Sequence, residues 1–159
     1  MTQRCAVHAT FILERTYPHA PARVFKAFAD EQAKAKWFSG PDGFETHERQ
    51  FDFRVGGQEV LVGKHGASHD NMVSAFHSVY QDIVPDQRIV YSYRMALDGV
   101  PISVSQATIE IRPEGTGAKL TLTEYGVYLD GYDDNGSREH GTGWLLDQIG
   151  ASLESRTVE

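Results

Sequence analysis

The stretch Lys119-Leu120-Thr121-Leu122-Thr123-Glu124-Tyr125-Gly126-Val127-Tyr128-Leu129 alternates in the two-residue rhythm of a strand. After Asp130-Gly131-Tyr132-Asp133-Asp134-Asn135-Gly136 the rhythm changes, and Trp144, Leu145, Leu146, Ile149 and Leu153 recur at helical spacing. A final strand therefore gives way, through a loop of turn formers, to a closing helix of about four turns, for which Ser137 is the expected cap.

Reading backwards from this point, five more strands are predicted: Phe44 to Phe53, Gln58 to Gly63, Met72 to Val84, Arg88 to Leu97 and Ile102 to Arg112. Turn chemistry separates them, at Val55-Gly56-Gly57, Gly66 to Asn71, Pro85-Asp86, Asp98-Gly99-Val100-Pro101 and Pro113 to Gly117. Short connections imply antiparallel neighbours. Gly56-Gly57 reads as a hairpin turn rather than a phosphate loop.

Further upstream, Val7 to Thr16 is an opening strand stopped at Tyr17-Pro18. Ala20 to Ala29 is a helix with Pro21 in its first turn, and Asp30 caps a second short helix running to Trp37. The order β-α-α-β6-α defines an α+β architecture, a helix-grip fold in which a curved seven-stranded antiparallel sheet wraps a long C-terminal helix. Seven strands are too many for one helix to cover flat, so the sheet must curl and leave a cavity. The expectation is one domain over residues 1–159, with its core at about 6–154.

Composition narrows the function. A formal net charge of -7 opposes a phosphate-tracking surface, so nucleic acid is not an expected partner. With 40% hydrophobic residues the chain can form a core, yet no apolar run approaches the roughly 20 residues that span a bilayer, so no membrane segment is expected. Met1 to Thr10 holds no continuous apolar run, and the cytoplasm is the expected compartment. Cys5, the single cysteine, excludes an internal disulfide and reads as an inert thiol. A homodimer is an open option, because exposed sheet edges invite pairing.

Candidate site residues follow from strand and helix faces. Leu120, Leu122 and Glu124 share one face, and the two leucines mark it as interior, so Glu124 points at the cavity as a weak candidate acid or base. The alternative is a rim carboxylate, or one paired to Arg94 or another base, with no catalytic duty. Tyr91 and Tyr93 share a face of a central strand, while Trp37 and Phe38 close the second helix; all four suit an apolar pocket that orients one polar ligand group. On the closing helix the stripe Gly141, Trp144, Leu145 and Gln148, or the stripe beside it, faces the cavity.

His77 shares its strand face with Val73, Ala75, Val79 and Gln81, which leaves its side undecided between a titrating pocket group and an outward histidine. His65 and His69 have i, i+4 spacing, but Gly63, Gly66 and Ser68 put them in a turn, and no metal site is expected. No nucleophile elbow, phosphate cradle or dinucleotide fingerprint is present, and no cofactor is expected.

Several segments, taken in order, resemble the START-related SRPBCC superfamily in its heat-shock chaperone ATPase activator-like branch. They are Tyr17-Pro18-His19-Ala20-Pro21-Ala22-Arg23-Val24-Phe25, Trp37-Phe38, Phe51-Asp52-Phe53-Arg54-Val55-Gly56-Gly57, Ile83 to Tyr93, Leu120 to Glu124 and Gly143 to Asp147. The resemblance spans about Ala6 to Glu154. It implies the helix-grip fold and a pocket for a small hydrophobic or amphipathic ligand, such as a lipid, aromatic or polyketide-like molecule. It also brings in two alternatives, a cyclase, dehydratase or hydrolase-type enzyme and a chaperone ATPase-stimulating module. The chain departs at Glu124, where many members of the branch carry histidine in a Thr-x-Thr-His pattern, so histidine chemistry at that position is not implied.

Overall fold

The computed structural model describes residues 4–154; the ends of the expected domain, 1–3 and 155–159, lie outside the described residues. The elements among the described residues are β1 (Ala6–Tyr17), α1 (Pro21–Ala29), α2 (Glu31–Ala35), β2 (Glu45–Phe51), β3 (Gln58–Lys64), β4 (Val73–Val84), β5 (Arg88–Leu97), β6 (Val100–Glu114), β7 (Gly117–Leu129) and α3 (Asn135–Glu154), with a 3₁₀ turn at Ala67–His69.

All seven strands form one curved antiparallel sheet in the order β1-β7-β6-β5-β4-β3-β2. The first strand thus pairs with the last, and α1 and α2 carry the chain from one sheet edge to the other. Register shifts between Thr46 and Glu48, Tyr80 and Asp82, and Met95 and Ala96 add an extra residue to one strand each, which bends a sheet and deepens its twist. The β5–β6 hairpin turns at Asp98 and Gly99, both at positive φ (48° and 79°), the mirror-image turn that matches strand twist.

Local chemistry accounts for the helices. Pro21 occupies the first turn of α1, where a missing N–H costs nothing, and the Asp30 side chain accepts from Ala33 N at 2.9 Å to cap α2. The second helix stops at Ala35, short of the expected Trp37. At α3 the cap is Asp134, not the expected Ser137: its carboxylate accepts from Ser137 N at 2.8 Å and from Ser137 Oγ at 3.0 Å, so the helix starts earlier and runs for 20 residues. Those bonds hold the Asp134 carboxyl below its ordinary value.

The two halves of α3 do different work. Leu146, Ile149 and Leu153 in its C-terminal half pack with Val24, Phe25 and Phe28 of α1 and with Ile109, Leu120 and Leu122 of the sheet. Burying a side chain of that size contributes about 1.5–3 kcal/mol. This half is pinned by Tyr17, whose hydroxyl donates to Leu146 O at 2.7 Å, and by Arg23, which donates to Leu153 O at 2.6 Å. The N-terminal half lines a cavity with Arg138, Gly141, Thr142, Trp144 and Leu145. No helix among the described residues is long and apolar enough to cross a membrane.

Candidate functional site

Beneath the N-terminal half of α3 lies a cavity of about 390 Å³. Its floor is the inner sheet face, with Leu61, Phe76, Tyr91, Tyr93, Met95 and Glu124. Lys34, Trp37, Phe38, Phe44 and His65 form one wall, and Ser137, Arg138, Gly141, Thr142, Trp144 and Leu145 form the roof. Phe44 reaches the wall because Gly63 has no side chain; a Cβ there would stand 2.2 Å from the Phe44 ring. Aromatic rings follow one another across the floor: Phe38 meets Phe76 edge-on at 5.0 Å, Phe76 meets Tyr93 at 5.1 Å, and Tyr93 meets Tyr91 at 5.9 Å. Such tilted pairs are the favoured ring geometry, and they make the floor stiff as well as apolar.

A buried polar cluster closes one end. Leu120, Leu122 and Glu124 alternate onto the inner face and are at most 2% exposed. Glu124 Oε2 accepts from the Tyr93 hydroxyl at 2.8 Å, and that hydroxyl accepts from Arg138 Nη1 at 2.9 Å. Arg138 Nη2 donates to Ser103 Oγ at 2.7 Å and to Asp133 Oδ2 at 2.9 Å, so one planar guanidinium ties α3 to β5 and β6 and to its own leading loop.

Burial pushes the Glu124 carboxyl up to about 7, against the opposing pull of the Tyr93 hydrogen bond and the Arg138 charge. Burial and then the Glu124 charge hold the Tyr93 phenol above its ordinary value. The group at the cavity end therefore has both its neutral and ionised forms accessible near neutral pH.

A second buried pair stands at the opposite wall. Lys34 Nζ donates to Glu59 Oε1 at 3.0 Å, the Tyr80 hydroxyl donates to the same carboxylate oxygen, and the ammonium lies 4.8 Å from the Trp37 ring centre and 5.1 Å from that of Phe38. Their side chains are 9% and 4% exposed, a burial that charged groups tolerate only when paired.

The sequence profile of the family described as activator of Hsp90 ATPase homolog 1-like protein matches residues 18–154. The chain belongs to this SRPBCC-type family. A Rhizobium loti protein of known crystal structure is 46% identical, with a TM-score of 0.84 over 93% of this chain and 99% of its own. A protein from Rhizobium leguminosarum is 40% identical, with a TM-score of 0.88 over 96% and 99%. One from Chromobacterium violaceum is 31% identical, with a TM-score of 0.77 over 92% and 98%. Comparison with curated proteins gives no significant match.

Within this activator-family chain, Trp37, Phe38, Tyr91, Tyr93, Glu124, Trp144 and Leu145 lie together on the cavity lining, whereas His77 and Gln148 do not. His77 follows Phe76, a floor residue, so strand alternation turns it to the outer face, where it stands opposite Val60 and Arg94. Gln148 sits one turn past Trp144 and Leu145. Arg94 is exposed next to inward Tyr93, and the cation beside Glu124 is Arg138 instead. Trp37 faces the cavity with its ring, while its indole N–H is spent on Ala27 O at 2.8 Å.

Several lining residues were not expected as site residues from sequence, among them Arg138, Lys34 and His65. Arg138 precedes Gly141 by one helical turn, so extending the expected stripe backwards reaches it. Lys34 had no such signal, although its partner Glu59 shares strand parity with Leu61. His65 lines the wall and pairs with Ser74 Oγ through Nε2 at 2.9 Å; burial, then the charge of His69, holds its ring below the ordinary histidine value. The His65 and His69 rings stack at 5.8 Å, and among the described residues no group of three or more His, Cys, Asp or Glu is placed to hold a metal ion.

Proposed function

We propose that this chain binds a small apolar or amphipathic molecule in the cavity beneath α3, its apolar body on the aromatic floor and its polar end toward Tyr93, Glu124 and Arg138. The observation that carries this reading is the 390 Å³ volume lined by aromatic rings with one buried polar cluster at its end. Small-molecule sites have this composition, mostly apolar with a few convergent polar groups, and volumes of about 300–1,000 Å³. The test is native mass spectrometry of the purified protein after exposure to mixed lipids and aromatic compounds. A retained compound that competes with other ligands for one site supports the reading; no retention across chemically diverse sets removes it.

A second reading is favoured by one specific observation, the Glu124 carboxyl pushed up to about 7 beside a tyrosine hydroxyl. General acids and bases work best when they titrate near the operating pH, and a cyclase, dehydratase or hydrolase would use Glu124 in that role. Glu124→Gln keeps the side chain's shape and removes its titration. If an activity is found and survives that substitution, the enzymatic role of Glu124 is lost while ligand binding stands.

A further inference from the structure

Phe11, Glu124, Ala107, Tyr91 and Tyr80 stand in one row across five adjacent strands, each opposite the next in register. The row holds a carboxylate at Glu124, and a second carboxylate, Glu59, lies just past its far end against Tyr80. Each of these acids is already served by a tyrosine: Tyr93 donates to Glu124, and Tyr80 donates to Glu59.

Tyr91 sits between them. Its ring lies 6.3 Å from Tyr80 and 5.9 Å from Tyr93, and it lines the cavity, yet its hydroxyl has no hydrogen-bond partner among the described residues. Ala107, the neighbour between Tyr91 and Glu124, is too short to reach it. A phenol facing an apolar pocket is a directional donor that a ligand acceptor atom can take.

We infer that the Tyr91 hydroxyl is the group that reads the ligand, and that the ligand is an uncharged molecule carrying an acceptor oxygen, a carbonyl in the simplest case, on an apolar frame. This rests on the cavity being a binding site and adds to it the class of molecule bound.

Charge argues for the uncharged form. The cations near the cavity are committed, Lys34 to Glu59 and Arg138 to Asp133, Ser103 and Tyr93. Burial first, then the neighbouring Glu124, holds the Tyr91 phenol well above its ordinary value, so it remains a proton donor. A ligand carboxylate at this point would be desolvated with both nearby cations already paired, whereas a ketone would take the hydrogen bond at no such cost.

The test uses three naphthalenes of one shape: 2-acetylnaphthalene, the hydrocarbon 2-isopropenylnaphthalene, and 2-naphthoate, each titrated calorimetrically into wild-type protein and Tyr91→Phe. Wild type is expected to bind the ketone about fivefold more tightly than the hydrocarbon, the yield of one neutral hydrogen bond, and the carboxylate weakest of the three. In Tyr91→Phe, which removes the hydroxyl and keeps the ring, the ketone-to-hydrocarbon ratio is expected to fall to about one. Should that variant not fold, Tyr91→Met, which also lacks the hydroxyl, is read in the same way. Hydrocarbon binding with no ketone advantage, a ratio that survives Tyr91→Phe, or a carboxylate that binds best overturns the assignment to Tyr91 and leaves the cavity reading standing. Failure of all three probes to bind overturns this inference, while the cavity reading is decided by the mass-spectrometric survey across chemically diverse sets.

Discussion

Tyr93 on β5 and Glu124 on β7 are joined hydroxyl to carboxylate at 2.8 Å across the intervening strand β6, which supplies only Ser105 and Ala107 at that level. Small residues in the middle strand let two long side chains meet over it. The contact matters because one partner is a buried acid whose charge is only partly compensated, by a hydrogen bond from Tyr93 and by Arg138.

The stability of the protein should therefore carry a signature of Glu124 that runs opposite to the common carboxylate pattern. Its folded-state pKa, about 7, lies above the ordinary value of 4.5, so between those values the folded state holds a proton that the unfolded chain has lost. The contribution is fully present below about 4.5 and is lost as the pH rises toward about 7. We expect urea unfolding of wild type and Glu124→Gln, compared at each pH, to show wild type losing roughly 3 kcal/mol relative to the variant from pH 4.5 to 8. A difference that is flat with pH, or that grows in favour of wild type, contradicts the burial described here.

Arg138 sets where that titration falls. Its charge pulls the Glu124 carboxyl down, so Arg138→Met should move the midpoint of the same wild-type-style pH comparison upward, when Arg138→Met is measured against the double variant with Glu124→Gln. Arg138→Met should also cost about 3 kcal/mol at pH 8, because Asp133 and Glu124 lose their cation inside the structure. Arg138→Lys should restore less than half of this, since one ammonium cannot span Tyr93, Ser103 and Asp133 as the guanidinium fork does. A lysine variant as stable as wild type would show that charge alone suffices.

The contrast between Glu124 and Arg138 also explains what could be read in the sequence. Glu124 was legible because its clue is local: two leucines at even spacing on the same strand declare the inner face. The strand and helix order was legible for the same reason, alternation broken by Asp-Gly and Gly-Gly turns. Arg138 belongs to a network whose other members, Tyr93, Ser103 and Asp133, come from separate segments, and only sheet order brings them together. Lys34 and Glu59 are hidden likewise, since an exposed short helix and a strand acid look like surface until α2 is laid over β3. His77 was ambiguous because both faces of its strand carry mixed residues. The start of α3 was misplaced because Asp134 and Ser137 are both capping residue types, and the aspartate, three positions earlier, captures the serine itself.

Lys34 and Glu59 should behave as a coupled pair whose single losses are worse than their joint loss. Lys34→Met leaves a carboxylate that is 4% exposed without its cation and should cost about 3–5 kcal/mol. Adding Glu59→Gln removes that stranded charge while keeping an acceptor for the Tyr80 hydroxyl, so the double variant should be more stable than Lys34→Met alone. Denaturant unfolding of the four proteins checks this; additive losses would mean the pair does not interact as its geometry requires.

Trp144 should separate binding from folding. It lines the cavity yet is 46% exposed, so its ring stands at the mouth with one face toward solvent and little of the core resting on it. Trp144→Ala is accordingly expected to change unfolding free energy by less than about 1 kcal/mol, since exposed positions carry little packing. The same change should weaken binding of 2-acetylnaphthalene by about three- to tenfold, because an apolar ligand loses the aromatic surface that covers it. The protein carries its own reporter, as Trp37 is 8% exposed and Trp144 is the other tryptophan. Acrylamide should quench Trp144 and spare Trp37 in the free protein, and saturating ligand should protect Trp144. Unchanged quenching at saturation would place the bound molecule away from the mouth of the cavity, and an affinity unaffected by Trp144→Ala would remove this residue from the site.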